Sequence, residues 1–285
     1  MNYRRFFTVN SLICLSMENE AVFNDYNSFF GTLFKEGLVH GFRIDHIDGL
    51  YNPQQYVERL RGLVGSNCYL IAEKILEYHE EMPRSWGLEG TSGYEFLSYV
   101  NRVLTDMKGA ERLKLFYQQF SGEKRDYQDI VFDKKRAFLY SQMRGELQNL
   151  MQLLQELQLV DASMDLHALK KALAIFMAAF PVYRIYPTSL PLSDESLVMV
   201  SKALETALRH EKELDKEFGF IKSLFEGSGN TPTDKKLSFI MRLMQFTGPL
   251  AAKGVEDTTF YVYNPLISHN EVGDAPDQLG ISVEE

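Results

Sequence analysis

Two short apolar segments, each ending in a carboxylate and separated by one helix, constrain this chain more than any other feature. The first runs from Leu38 to His46, where Gly41, Arg43 and Asp45 alternate with Phe42, Ile44 and His46. Alternation of this kind marks a strand, because successive side chains leave opposite faces. Phe42 and Ile44 then pack under covering helices, which leaves Arg43 and Asp45 together on the other face. Pro53 to Leu63 reads as a helix, and Cys68 to Ile75 as a second strand with Glu73 near its end. A strand, helix and strand of these lengths make a βαβ unit on a parallel sheet. Asp45 and Glu73, 28 positions apart, would emerge side by side at the same end of adjacent strands, where parallel α/β folds place their sites.

Such a pair suits retaining glycoside chemistry, which needs an ionised nucleophile and a protonated acid about 5–5.5 Å apart. Repulsion from an ionised Asp45 would hold a proton on Glu73. Arg43, on the same face, would keep Asp45 ionised. Taken alone, Arg43 and Asp45 are equally readable as a structural ion pair.

The rest of the chain is mostly helical in pattern. Glu18 to Gly37 places Val22, Phe23, Tyr26, Phe29, Phe30, Leu33 and Phe34 at helical spacing, with Gly37 as the stop. From Tyr94 to about Gln245 the helical period is nearly continuous, and one long helix is expected from Asp126 to Leu159. Breaks fall at 180–191, which is rich in proline, and at 226–232. From Phe246 through Asp257 to Tyr263, with Gly248, Pro249 and Gly254, the pattern reads as strand and loop again.

Charge narrows the partners. Thirty Lys and Arg stand against 39 Asp and Glu, a net charge of −9, and no basic run offers a stripe that could follow phosphates. Nucleic acid and anionic membrane are therefore not expected as partners. No apolar stretch reaches the roughly 20 residues of a spanning helix, and Met1 to Met17 carries no signal-peptide design, so a cytoplasmic protein is expected. Cys14 and Cys68 are too few for a disulfide framework and lack zinc-site spacing; they read as inert, buried thiols.

GFRIDHIDGL (41–50) and YLIAEKIL (69–76) resemble the second and third signature regions of the α-amylase superfamily barrel. NYRRFFTVNSL, GTSGYEFL, FPVYRIYP and TGPLAAKGVEDTTFYVYNPLISHNEVG narrow the resemblance to the maltooligosyltrehalose synthases and extend it from Asn2 to Gly273. The fold this resemblance implies is α/β, a fragment of a (β/α)8 TIM barrel with a large all-helical insertion. Residues 1–98 would be a barrel segment, 99–240 the insertion and 241–285 the return to the barrel.

By the same resemblance Asp45 would be the nucleophile, Glu73 the general acid/base and Arg43 its orienting partner. Asp257 would be a third carboxylate that grips sugar hydroxyls, with Glu256 standing where the wider superfamily usually has a histidine. His46 reads as a structural histidine or a sugar contact, Lys74 as a sugar contact beyond the cleaved bond or a solvated lysine. Tyr94 reads as a stacking platform for glucose or as core. Lys253 would face inward by strand parity. Asp48 reads first as a turn residue, and Trp86, Arg184 and Tyr186 are weaker candidates.

The implied reaction is intramolecular transglucosylation of a maltooligosaccharide, from a terminal α-1,4 to an α,α-1,1 linkage, with no metal or organic cofactor. No oligomeric state is readable. The resemblance also implies a considerably longer enzyme, with the first barrel strands before Met1 and the last strand and a C-terminal domain after Glu285. The 285-residue chain alone would then act slowly, if at all. Two other functions compete: an α-glucan hydrolase using the same carboxylates, and a catalytically silent helical interaction fragment.

Overall fold

Caps and glycines punctuate the first hundred residues. The computed structural model describes residues 5–7, 9–78, 80–227 and 232–282. Residues 2–4 and 8 of the opening motif, and most of the 226–232 break, lie outside these. A hairpin of β1 (Arg5–Phe6) and β2 (Val9–Ile13) comes first. Asn19 then caps α1 (Glu20–Lys35) by accepting from the Ala21 and Val22 N–H groups, and the chain leaves through Gly37 at φ 70°, a conformation glycine adopts without steric cost.

The expected βαβ unit forms. Strand β3 (Gly41–Ile44) leads to α2 (Pro53–Val64), which starts on an Asn52 cap with proline in its first turn, and then to β4 (Tyr69–Ala72). The strands are parallel, Gly41 opposite Tyr69 and Ile44 opposite Ala72. A side chain at Gly41 would lie 2.3 Å from the Tyr69 carbonyl, so the close approach of these strands requires glycine. β5 (Gly90–Thr91) adds a third parallel strand beside β4. Phe23, Ile44, Val57, Leu60, Leu70, Ala72 and Trp86 form the core between this sheet and its helices.

Eight helices follow in the described residues: α3 (Tyr94–Val103), α4 (Met107–Ser121), α5 (Tyr127–Ser141), α6 (Arg144–Glu156), α7 (Leu166–Ala178), α8 (Asp194–His210), α9 (Asp215–Phe225) and α10 (Thr233–Ala251). Every residue from Ala172 to Ala178 is buried, which makes α7 the centre of the block. Leu139, Leu147, Leu154, Leu173, Phe225 and Leu243 share one continuous core. Among the described residues of 99–240 there is no strand. The chain is thus helix-rich α/β with small sheets. No described helix is long and apolar enough to cross a membrane.

Three expectations are corrected. The single helix expected over 126–159 is broken at Gln142 and Met143, between α5 and α6. Both halves bury their apolar stripe in the same core, so the bend leaves the sequence period intact. The strand expected after Phe246 is helix instead: α10 passes through Gly248 and Pro249 and runs into a π-helical turn, Ala252–Glu256. Phe239, Ile240, Leu243, Met244, Phe246 and Leu250 are all buried, and this packing outweighs the helix-breaking tendency of one glycine and one proline. Of the two cysteines, Cys68 is buried and Cys14 only half-buried.

Candidate active site

Strand β3 ends at Ile44 and the chain turns left-handed at His46 (φ 48°, ψ 49°) into a short turn over Ile47–Gly49. This leaves the Asp45 side chain 67% exposed beside Arg43. Arg43 Nη1 donates to Asp45 Oδ1 at 2.6 Å, and Arg43 Nη2 lies 3.1 Å from Glu73 Oε1. One guanidinium therefore touches both carboxylates, and both stand on the same side of the sheet. The Asp45 bond, with Glu73 beside it, holds the guanidinium above its usual range against the opposing effect of burial.

Glu73 follows directly on β4 and is fixed from two more directions. Its Oε2 accepts from the His46 N–H at 2.8 Å, and its Oε1 accepts from the Tyr94 hydroxyl at 3.4 Å. Tyr94 opens α3 immediately after Gly93, whose φ of 87° turns the chain out of β5. Burial first, and then the Glu73 charge, push the Tyr94 hydroxyl up; Glu256 adds to the effect.

The His46 ring packs against Phe6 and Phe7, with centroids 5.4 and 4.7 Å away. Lys253 Nζ sits 4.6 Å above the Phe7 ring, a cation–π contact, and pairs with Asp257 one turn further along the chain. Arg5, Phe6, Phe7, His46, Phe246 and Lys253 line a recess here. Asp257 ends the π-helical turn and is 54% exposed. The strand and loop expected to carry Asp257 are replaced by helix: two strand ends meet at Asp45 and Glu73, and Asp257 stands at a helix end. Strand parity does not govern Lys253 either; its pairing with Asp257 follows helical spacing.

Lys74 points the other way. Its side chain is wholly buried, 3.4 Å from Asp48 Oδ2 and 3.1 Å from Glu80 Oε1, and it donates to the Ile75 carbonyl at 2.6 Å. Burial favours a neutral amine, but Asp48 and Glu80 outweigh it and raise the Lys74 pKa. Asp48, also buried, accepts from the Tyr186 hydroxyl. The structure thus gathers Arg43, Asp45, Glu73, Tyr94 and the His46 backbone, joins Lys253 and Asp257 to them through Phe7, and places Lys74 inside.

Phe6 and Phe7 have no role assigned from the sequence, although a Phe pair directly after two arginines is a signal visible in it. The sequence marks Glu256 only by its place before Asp257. It is half-buried and accepts from the Tyr183 hydroxyl. Burial pushes its carboxyl up to about 7, against the lowering effect of the Tyr183 bond. No sequence signal links positions 183 and 256. Among the described residues no group of three or more His, Cys, Asp or Glu is arranged to hold a metal ion. The arrangement can present one carboxylate for attack and a second for proton exchange, with an arginine shared between them.

No protein-family model matches the chain. A putative maltooligosyl trehalose synthase from Mycobacterium tuberculosis is 30% identical over 287 aligned residues, covering 99% of this chain and 35% of the relative. The structure of maltooligosyltrehalose synthase from Arthrobacter ramosus superposes with a TM-score of 0.86 at 33% identity, over all of this chain and 35% of that one. A hypothetical maltooligosyl trehalose synthase of Sulfolobus tokodaii gives a TM-score of 0.73 at 29% identity, over 99% of this chain and 34% of that one. The resemblance carried by the motifs therefore extends along the whole chain, which spans about a third of the length of these relatives.

Proposed function

We propose that this chain is a segment of a maltooligosyltrehalose synthase, and that it carries the nucleophile and the acid/base of that enzyme. On this reading residues 1–98 and 241–285 belong to a (β/α)8 barrel completed by the rest of a longer polypeptide, and 99–240 is an insertion in it. The substrate is a maltooligosaccharide in the cytoplasm, and neither metal nor organic cofactor takes part.

The observation that supports this best is the Arg43 fork between Asp45 and Glu73 at the ends of adjacent parallel strands. Glu73 donates a proton to the glycosidic oxygen as Asp45 attacks the anomeric carbon and forms a glucosyl ester. The released glucose turns, and its anomeric hydroxyl gives its proton to Glu73 while its oxygen displaces Asp45. Two inversions leave the configuration retained. Tyr94 steadies Glu73. Lys253 and Asp257 contact sugar hydroxyls, and the aromatic wall of Phe6, Phe7 and His46 keeps water from the ester. Lys74 takes no sugar and instead ties Asp48 and Glu80 together beneath the site.

The test uses the full-length polypeptide containing this segment, maltopentaose, and loss of reducing ends as the readout. Asp45→Asn should abolish the reaction, because no ester can form. Wild-type turnover in that variant overturns the nucleophile assignment. Hydrolysis is the competing reading for the 285 residues alone, and the exposure of Asp45 there favours it; free glucose without non-reducing product would identify it.

A further inference from the structure

The first part of the connection between α7 and α8 is largely buried although it has no regular structure. Phe180, Val182, Tyr183, Arg184 and Ile185 are all shielded from solvent. A buried loop must find partners for its polar groups, and this one finds them on both sides of the site. Arg184 donates to the carbonyls of Asp48 at 2.9 Å, Leu50 at 2.6 Å and Tyr51 at 3.4 Å, the backbone that begins three residues after Asp45. Tyr186 donates to the Asp48 carboxylate. Tyr183 reaches the opposite side and donates to Glu256, next to Asp257. Lys135 of α5 anchors the segment from behind through the Phe180 carbonyl at 2.8 Å. One short strap from the helical block therefore grips both the loop after β3 and the turn that carries Lys253, Glu256 and Asp257.

We propose that Tyr183 and Arg184 are positioning residues that hold these two walls at a fixed separation, and so decide whether the glucosyl ester passes to the released sugar or to water. This rests on the function proposed above. In both outcomes the bond from Asp45 to the anomeric carbon breaks and Glu73 takes a proton. The acceptor differs: the anomeric hydroxyl of a sugar that must turn within the pocket, or a water that arrives from any direction. Transfer to the sugar depends on wall placement, since displacement by about 1 Å can cost about 100-fold. Water tolerates the same displacement and gains access from it. Loosening the strap should therefore slow transfer more than hydrolysis. A residue needed only for folding would lower both together.

The experiment measures free glucose and non-reducing product separately from maltopentaose, in the full-length polypeptide, for wild type, Tyr183→Phe, Arg184→Lys and Asp45→Asn, with a thermal midpoint for each. Tyr183→Phe keeps the ring and loses one hydrogen bond, so about a 10-fold loss of transfer is expected, with the midpoint lowered by a few degrees. The ratio of free glucose to non-reducing product should rise about 5-fold. Arg184→Lys keeps the charge without the fork and should move the ratio the same way. An unchanged ratio in Tyr183→Phe overturns the proposal whether or not Arg184→Lys folds. Wild-type turnover in Asp45→Asn, or no non-reducing product from wild type, overturns the proposed function instead.

Discussion

The backbone N–H of His46 donates to Glu73 Oε2 across 2.8 Å, so the residue after one carboxylate holds the other in place. The left-handed turn at His46 makes this contact through the main chain. The imidazole is left to pack on the phenylalanines and to cover Gly49, where a Cβ would come within 2.3 Å of the ring.

Arg43 is the shared partner of Asp45 and Glu73, and its planar fork is what allows one side chain to serve both. Arg43→Lys in the full-length polypeptide should lower turnover of maltopentaose about 100-fold, with a smaller change in KM. A loss of less than threefold would show that the carboxylates hold their places without it.

Lys74 is buried with two carboxylates. Lys74→Met would leave Asp48 and Glu80 without their cation, and removing one partner from a buried ionic cluster costs about 3–5 kcal/mol. Urea unfolding should show this loss, and adding Asp48→Asn should restore part of it.

Glu256 predicts a pH dependence. Its carboxyl sits at about 7 in the fold against an ordinary 4.5. Between those values the folded state keeps a proton that the unfolded chain has lost. The stability it contributes is thus full below pH 4.5 and is lost as pH rises through about 7. Thermal midpoints at pH 5 and pH 8 should differ less in Glu256→Gln than in wild type. Equal differences would place the proton elsewhere.

Gly254 lets the π-helical turn lie flush on α5. A Cβ there would fall 2.4 Å from Lys135 Cγ and 2.9 Å from its Cα, and the second of these is backbone that cannot step aside. Gly254→Ala should cost about 1–3 kcal/mol, measured by thermal unfolding, and should lower turnover in the full-length polypeptide by shifting Glu256 and Asp257.

The βαβ unit was legible because its signals are local: alternation in 41–46, Pro53 at a helix start, Gly37 at a helix stop, and a spacing that returns Glu73 to the edge of Asp45. The third carboxylate was not. Gly248 and Pro249 read as breakers, yet they lie in the 239–251 stretch of a helix that its neighbours bury almost throughout, and burial is a property of the partner elements. The same reason hid Lys74, whose two carboxylates fix it inside the fold, and Glu256, whose partner Tyr183 lies 73 positions away. The gap between α5 and α6 has no glycine or proline to mark it, and its apolar period continues across it because both helices face one core.

Trp86 is the chain's single tryptophan. It is 2% exposed, and its ring stands edge-on to Tyr186 with centroids 4.7 Å apart. Tyr186 closes the strap, so one fluorophore reports whether that segment is seated on the βαβ unit. The seat joins distant parts of the chain, Arg184 and Asp48 being 136 positions apart, and contacts of that separation form after local helices do. During refolding of the 285-residue chain, far-ultraviolet dichroism should recover ahead of Trp86 emission. The emission would then time the assembly of the site, separately from the collapse of the helical block, with no label added to the protein.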